Sequence, residues 1–370
     1  MRRGELLERT IASIRGPDET VMVETARLLD AKTKPSGSLG RIEEVACRLA
    51  GIRGSVPGRA PVPALVVAAA DHGVAALGVS AYPQEVTAQM LANFASGGAA
   101  ICVLAREAGA GLVVVDVGVI GTAGLAGVRS EIVDDLRGTD DLTLGPAMSR
   151  STAIEAIERG IALADELADG GVEIVGLGEM GIGNTTAASA LTSALLAADP
   201  GRVCGRGTGL DDGGLARKVD AVRRGLAVNG LPHPEADPLD VLAAVGGLEI
   251  AFLVGVSLGA AGRRVAILLD GFITSAAALV ATRIQPRLAG SMIATTRSPE
   301  PGHELVLEAL GLEPLLDLRL RLGEGTGAAL ALPLVRSAVA ILTDMATFDS
   351  AGVNGPAASQ ADAIRSVADA

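Results

Sequence analysis

The sequence predicts an α/β fold in which helices cover both faces of a parallel sheet. Three observations predict it: short apolar runs recur along the chain, helical stretches separate them, and each run is continuous rather than alternating. The runs lie at 63–70, 111–118, 172–178, 265–270 and 291–295. Four of them end in polar or glycine-bearing residues: Asp71-His72-Gly73, Asp116-Val117-Gly118, Gly178-Glu179 and Asp270-Gly271. In open parallel sheets function collects at the carboxyl ends of the strands. The sequence therefore places its candidate chemistry at one edge of the sheet.

The two ends of the chain read differently. Residues 1–59 and 326–349 look helical without a strand and are expected to form a small helical domain beside a large domain at 60–325. The last stretch, 350–370, is rich in Ala, Gly, Ser and Asp and is expected to be a disordered tail. Hydrophobic residues make up 49% and charged residues 20%, enough for a sizeable core. Aromatics are only 1%, with no Trp and a single Tyr, Tyr82, so the core must be filled by Ala, Val, Leu and Ile. The same scarcity argues against stacking on nucleic-acid bases. With 31 basic and 43 acidic residues the net charge is −12, which disfavours nucleic acid and anionic membranes as partners.

Cys47, Cys102 and Cys204 are odd in number and form no C-x-x-C pair, which points to a reducing cytoplasm rather than a disulfide framework or zinc site. His72, His233 and His303 lack metal-type spacing, and neither a metal nor a cofactor is expected. The N-terminus carries acids where a signal peptide needs an apolar core. The most apolar stretches each hold or adjoin a charge (Glu249, Asp270, Arg336), so they are expected to be buried elements rather than membrane spans.

The most informative run is Gly176-Leu177-Gly178-Glu179-Met180-Gly181-Ile182-Gly183-Asn184-Thr185-Thr186, between a strand and an alanine-rich helix at 187–198. Glycines there let backbone N–H groups approach an anion, and a helix N-terminus favours negative charge. Asn184, Thr185 and Thr186 are placed to cap the helix or to bind ligand oxygens. Glu179 puts a carboxylate inside that anion cradle, which suggests chemistry beside a phosphate. Taken alone, the run also fits a glycine turn that only packs strand against helix. Gly176, Gly178 and Gly181 further satisfy the dinucleotide fingerprint G-x-G-x-x-G, but the expected acid about 20 residues on is met only by Asp199, in a turn.

A second glycine cluster, Arg321-Leu322-Gly323-Glu324-Gly325-Thr326-Gly327, again encloses a Glu ahead of an apolar helix. One such Glu is explained by the helix dipole. Two displayed alike, Glu179 and Glu324, argue for a shared cleft containing a general base. Arg206, Gly207 and Thr208, with Lys218 on the next helix, are candidates for neutralising a phosphate, although each alone also fits a solvated loop or surface lysine. His72 stands at a strand end, and His303 is expected to begin a helix after Pro301-Gly302.

Several segments in order resemble the nicotinate-nucleotide–dimethylbenzimidazole phosphoribosyltransferase family, which makes the lower-ligand nucleotide of cobalamin. They are Leu29 to Gly40 (LDAKTKPSGSLG), Asp71 to Val74 (DHGV), Ser80 to Thr87 (SAYPQEVT), Gly178 to Thr186 (GEMGIGNTT), Leu268 to Phe272 (LLDGF), Glu300 to His303 (EPGH), and Arg321 to Ala331 (RLGEGTGAALA). The resemblance covers about Leu29 to Phe348. It implies a Rossmann-like sheet, a small helical domain from both chain ends and a homodimer. It also implies transfer of the phosphoribosyl group of nicotinate mononucleotide to 5,6-dimethylbenzimidazole, giving α-ribazole 5′-phosphate and nicotinate. Glu324, flanked by Gly323 and Gly325, falls at the position of the family's catalytic base. Tyr82 and Gln89 fall at the base pocket, while Gly178, Gly181, Gly183, Asn184, Thr185, Gly207 and Lys218 fall on the nucleotide side. The pattern departs at Thr296, where the family suggests His.

That chemistry suits these residues. The departing nicotinate is a pyridinium, so its ring nitrogen leaves neutral and needs no acid. As benzimidazole attacks through its bare nitrogen, the N–H across the ring becomes acidic, and a carboxylate such as Glu324 can accept the proton. Glu179 is placed to stabilise positive charge developing on the ribosyl group. Attack opposite the leaving ring inverts the anomeric carbon. Two other readings remain at this point: a dehydrogenase binding a nicotinamide dinucleotide at 176–181, and a non-enzymatic nucleotide-binding regulator. Neither needs a general base.

Overall fold

The computed structural model describes residues 3–122 and 124–355. Its sheet has six strands: β1 (Pro63–Ala70), β2 (Gly111–Gly118), β3 (Val128–Ser130), β4 (Ile174–Met180), β5 (Ala266–Leu269) and β6 (Met292–Ala294). They are ordered β3-β2-β1-β4-β5-β6, and every neighbouring pair is parallel. This is the doubly wound order that reverses direction between β1 and β4. β1 is buried along its whole length, as its unbroken Ala/Val/Leu run requires. β3 escaped the sequence reading because its Val-Arg-Ser is short, partly exposed and has no apolar run.

Helices cover the sheet. Leu248–Gly262 is buried from Leu248 through Ala261 and lies directly on Arg150–Asp169. The two backbones meet at Gly160 and Gly255, where a Cβ on Gly160 would come 2.8 Å from Val256 N. With so few aromatics, close backbone contact takes the place of bulky side chains in filling the core. The expected helix at 187–198 begins earlier, as Asn184–Leu196, and the helix after the second glycine cluster is Thr326–Asp344. By length and composition alone, Val86–Glu107 and Thr326–Asp344 are apolar enough to cross a membrane. The first is two helices, Val86–Ala95 and Ala100–Glu107, and the second contains Pro333.

The chain divides into two units. The larger contains Val62–Leu332 together with the segment up to Gly16, and the smaller contains Pro17–Pro61 and the segment from Pro333. Both limits differ from the expected 1–59 and 326–349. Helix Glu5–Ser13 starts at Gly4, which has no capping side chain, and its Leu6 and Leu7 amides donate instead to Glu158 Oε1 on Arg150–Asp169. Gln285 Nε2 also donates to Ile11 O, so this helix is bound into the large unit. At the other limit, the first turns of Thr326–Asp344 pack on β4, where a Cβ on Gly176 would meet Ala328 Cβ at 2.9 Å.

In the small unit, helices Glu19–Asp30 and Arg41–Arg53 pair closely at Gly51, whose Cβ position is 2.8 Å from Met22 Sδ. The two chain ends are joined there: Lys32 Nζ donates to Met345 O, Thr33 N to Ala346 O and Phe348 N to Ala31 O. Of the expected tail 350–370, Ser350 and Ala351 complete the short helix Phe348–Ala351, and residues 356–370 lie outside the described residues.

Candidate active site

A cleft opens over the carboxyl ends of β4, β5 and β6. The β4 end contributes Glu179, Gly181, Gly183, Asn184 and Thr185, and the β5 end contributes Asp270. Gly207, Lys218, Gly323 and Arg321 complete its sides, and Ser80 reaches it from the segment after β1.

The two glycine-flanked glutamates meet because β4 has no side chain at Gly178. A Cβ there would fall 2.6 Å from Glu324 C and 2.7 Å from Gly325 N, so the 323–327 loop lies against the strand backbone. Gly176 and Gly178 stand inside β4 rather than in a turn, and they serve this packing. The dinucleotide fingerprint at 176–181 is therefore a coincidence of spacing, and the dehydrogenase reading loses its motif.

Gly323, Glu324 and Gly325 all have positive φ, of 82°, 63° and 86°. For glycine this is free, but for Glu324 it costs on the order of 1 kcal/mol and must be imposed by neighbours. Asp270 imposes it. Its Oδ2 accepts from Gly325 N at 3.2 Å and its Oδ1 from Gly327 N at 2.6 Å, which also caps the helix Thr326–Asp344. Asp270 is the residue the sequence reading passed over. Its signal is its position at a strand end, shared with Asp71 and Asp116, which bind loop amides at 118–120.

The electrostatics follow from burial. Glu179 has its carboxyl pKa raised to about 8, chiefly by burial and then by the negative charges of Asp270 and Glu249; the Asn184 amide, which donates to it, pulls the other way. Asp270 is raised to about 7 by burial, against the pull of the amides it accepts from. Glu324 is raised by burial too, offset by the Ile101 amide that its Oε2 accepts from at 3.4 Å. Three carboxyl groups thus sit where ionisation is costly unless a cation joins them.

At the other end of the cleft, Lys218 is fully buried, not a surface lysine. Burial lowers its pKa, and its Nζ donates to Gly205 O at 3.2 Å. Gly207 N donates to Glu300 Oε1 at 2.8 Å, and Arg206 is held by Leu210 O and Asp212. Asn184 has no capping role, since its side chain serves Glu179, while Thr185 lines the cleft. Thr296 also lines it, with its hydroxyl donated to Asp270 O at 2.8 Å. His303 lies on helix Pro301–Leu310; its Nδ1 accepts from Ser298 N, and burial with the Arg297 charge lowers its pKa to about 4.

Other expected residues lie elsewhere. Glu324, Gly178 and Gly325 are packed behind Gly323 rather than on the cleft wall. Tyr82 and Gln89 are exposed, beyond the Ser80 rim. Among the described residues, no three His, Cys, Asp or Glu side chains gather in a metal-binding group.

A crevice outside the strand ends of a doubly wound sheet, lined by Glu179, Asp270 and Glu300 and by the buried Lys218, lies where such folds bind their ligands. Comparison with known proteins agrees. Residues 14–353 match the family described as phosphoribosyltransferase. The nicotinate-nucleotide–dimethylbenzimidazole phosphoribosyltransferase of Salinispora tropica is 52% identical, with 94% of this chain and 99% of that protein covered. That of Chloroflexus aggregans is also 52% identical, over 94% and 98%. The crystal structure of the protein of that name from Thermus thermophilus has a TM-score of 0.86 at 47% identity, over 92% of this chain and 100% of that one. The chain belongs to this phosphoribosyltransferase family.

Proposed function

We propose that the cleft moves the 5-phosphoribosyl group of nicotinate mononucleotide to 5,6-dimethylbenzimidazole, with Glu324 as general base and Glu179 as the stabiliser of the ribosyl cation. The observation that carries this reading is the convergence of Glu179, Asp270 and the Glu324 loop at one strand edge. The phosphate belongs at the Lys218 and Gly207 end, with Thr185 beside it. The ribose then lies over Glu179, which prefers to be neutral before substrate binds and ionises when a pyridinium arrives. The benzimidazole nitrogen forms the new bond to the anomeric carbon as the old bond's electron pair leaves on nicotinate. The proton on the second nitrogen passes to Glu324, whose carboxyl lies behind Gly323 against Ile101 N, so the proposal sets the base on that side of the 323–327 loop. With the two rings on opposite faces of the sugar, the carbon inverts. Holding three groups in line is mainly a positioning task.

A homodimer and a cytoplasmic setting belong to the same proposal; three free cysteines suit a reducing compartment. Light scattering of the purified protein tests the dimer. The reaction is tested by incubating the protein with nicotinate mononucleotide and a panel of aromatic bases and identifying products by mass and by anomeric NMR couplings. The expected product is the α-ribonucleotide of the benzimidazole with one equivalent of nicotinate. A β-product, or NADH binding without consumption of nicotinate mononucleotide, sinks the reading.

A further inference from the structure

Behind the cleft lies a pair of titratable groups that the reaction does not touch. His72, at the end of β1, and Glu249, in the first turn of Leu248–Gly262, are joined by a 2.7 Å contact between Nε2 and Oε1. Both are buried, with 1% and 0% side-chain exposure. Three glycines enclose them. A Cβ on Gly181 would lie 3.3 Å from His72 Nε2, one on Gly183 would lie 3.2 Å from His72 Cβ, and one on Gly247 would lie 2.7 Å from Glu249 Oε2. The imidazole therefore fills the space directly under the 181–183 turn that aims Asn184 at Glu179. Glu249 Oε2 and His72 Nδ1 have no hydrogen-bond partner among the described residues.

We propose that His72 is a positioning residue that carries a proton, neutralises Glu249, and so allows Glu179 to ionise for ribosyl transfer. The inference rests on the role given to Glu179 above. Glu179 is faced by Asp270 after β5, by Glu249 from its helix, by Glu324 in the 323–327 loop and by the Asn184 amide. Every charged member of that set is negative. His72 is faced by Glu249 and Asp71. Burial alone would lower the His72 pKa, but these two carboxylates raise it above the ordinary imidazole value. A buried carboxylate left without its cation loads its surroundings with uncompensated charge. Glu249 would then hold the Glu179 proton still more tightly.

The test is the pH dependence of kcat/KM for nicotinate mononucleotide in His72→Gln, Glu249→Gln, the double variant and Glu179→Gln, with melting curves to verify folding. In Glu179→Gln the wild-type acid limb is expected to move to lower pH, leaving only the titration of the Glu324 base. In His72→Gln it should move up by roughly one pH unit, with about a tenfold loss near pH 7. In the double variant, which removes both charges, it should return to the wild-type position. A merely structural histidine predicts no such recovery. An unmoved limb in His72→Gln, or one equally displaced in the double variant, overturns the inference while the reading of Glu179 survives. A limb that stays at the wild-type position in Glu179→Gln overturns both. Should His72→Gln not fold, nitrogen-15 NMR of the imidazole decides: doubly protonated at pH 7 in the wild type and neutral in Glu249→Gln, or, if neutral in both, the inference fails.

Discussion

Glu179 and Glu324 occupy the same kind of sequence, a carboxylate between glycines ahead of a helix, yet the chain holds them by different means. Glu179 is part of a regular strand, paired in register with Ala68 of β1, and its carboxyl points into the cleft beside Asn184. Glu324 stands in a left-handed turn outside any regular element, laid against the β4 backbone at Gly178 and tied by Asp270 from the end of the next strand. One is fixed within the sheet, the other by contacts made to a loop from outside it. A group that only stabilises charge needs a fixed place. A group that takes up a proton and returns it to solvent tolerates a loop, because each turnover needs it to exchange.

The sharpest way to break the comparison is to neutralise each carboxyl in turn. Glu324→Gln keeps the shape of the turn and should lower kcat by roughly 10²–10⁴-fold with folding intact. Turnover at the normal rate would remove it as the base. Glu179→Gln should cost somewhat less, about 10²–10³-fold, through lost stabilisation of the ribosyl cation. It should also change stability in the opposite sense to activity. The folded carboxyl titrates at about 8 against an ordinary 4.5, so the folded protein binds this proton more tightly than the unfolded chain. The resulting stability is fully present below about pH 4.5 and is lost as pH rises through 8, on the order of a few kcal/mol. Melting of the ligand-free protein should therefore weaken from pH 6 to 9 in the wild type and much less in Glu179→Gln.

Asp270→Asn tests the asymmetry itself. An amide oxygen can accept from only one of the two loop amides while its NH2 faces the other, so the Glu324 turn should loosen. The expected effect is roughly 10–100-fold on kcat, smaller than losing the base, with nicotinate mononucleotide affinity nearly unchanged. An equal loss of kcat from Asp270→Asn and Glu179→Gln, accompanied by weaker nucleotide binding, would mean that Asp270 contacts substrate directly instead of setting the loop.

How far the sequence alone reaches follows from the same contrast. Continuous apolar runs located β1, β2, β4, β5 and β6 within a few residues, since strands covered on both faces must be apolar throughout. The polar residues ending those runs marked the functional edge correctly. What escaped were features made by long-range contact. Gly176 and Gly178 fit the strand run 172–178 and a glycine turn alike, and what makes them glycines is distant: Leu65 and Ala328 take the Cβ position of Gly176, and the 323–327 loop, over 140 residues away, takes that of Gly178. Lys218 reads as a phosphate-neutralising candidate or as a surface lysine, and nothing local tells that it is fully buried. Helix Glu5–Ser13 has no local cue for which unit it joins; Glu158 decides that through the helix amides it accepts. Asp270 is one of several strand-end acids, and only the position of Gly325 and Gly327 distinguishes it.

The smallest expected effect lies at the rim, where the proposal admits the base. Tyr82 is the sole tyrosine and half exposed, and its amide donates to Ser80 Oγ at 3.2 Å, so its backbone is attached to a residue of the cleft wall while its side chain is free. A side chain with this freedom gains order when an aromatic base packs on it, and it contributes nothing to the ribosyl cation. Tyr82→Ala should therefore raise KM for 5,6-dimethylbenzimidazole by roughly 3–10-fold, leave kcat at saturating base unchanged, and leave KM for nicotinate mononucleotide unchanged. This split separates the two ends of the site as Glu324 and Glu179 cannot, because both act on the same transition state. A fall in kcat with KM intact would place Tyr82 against the reacting rings, and the cleft would then have to close over this segment during turnover.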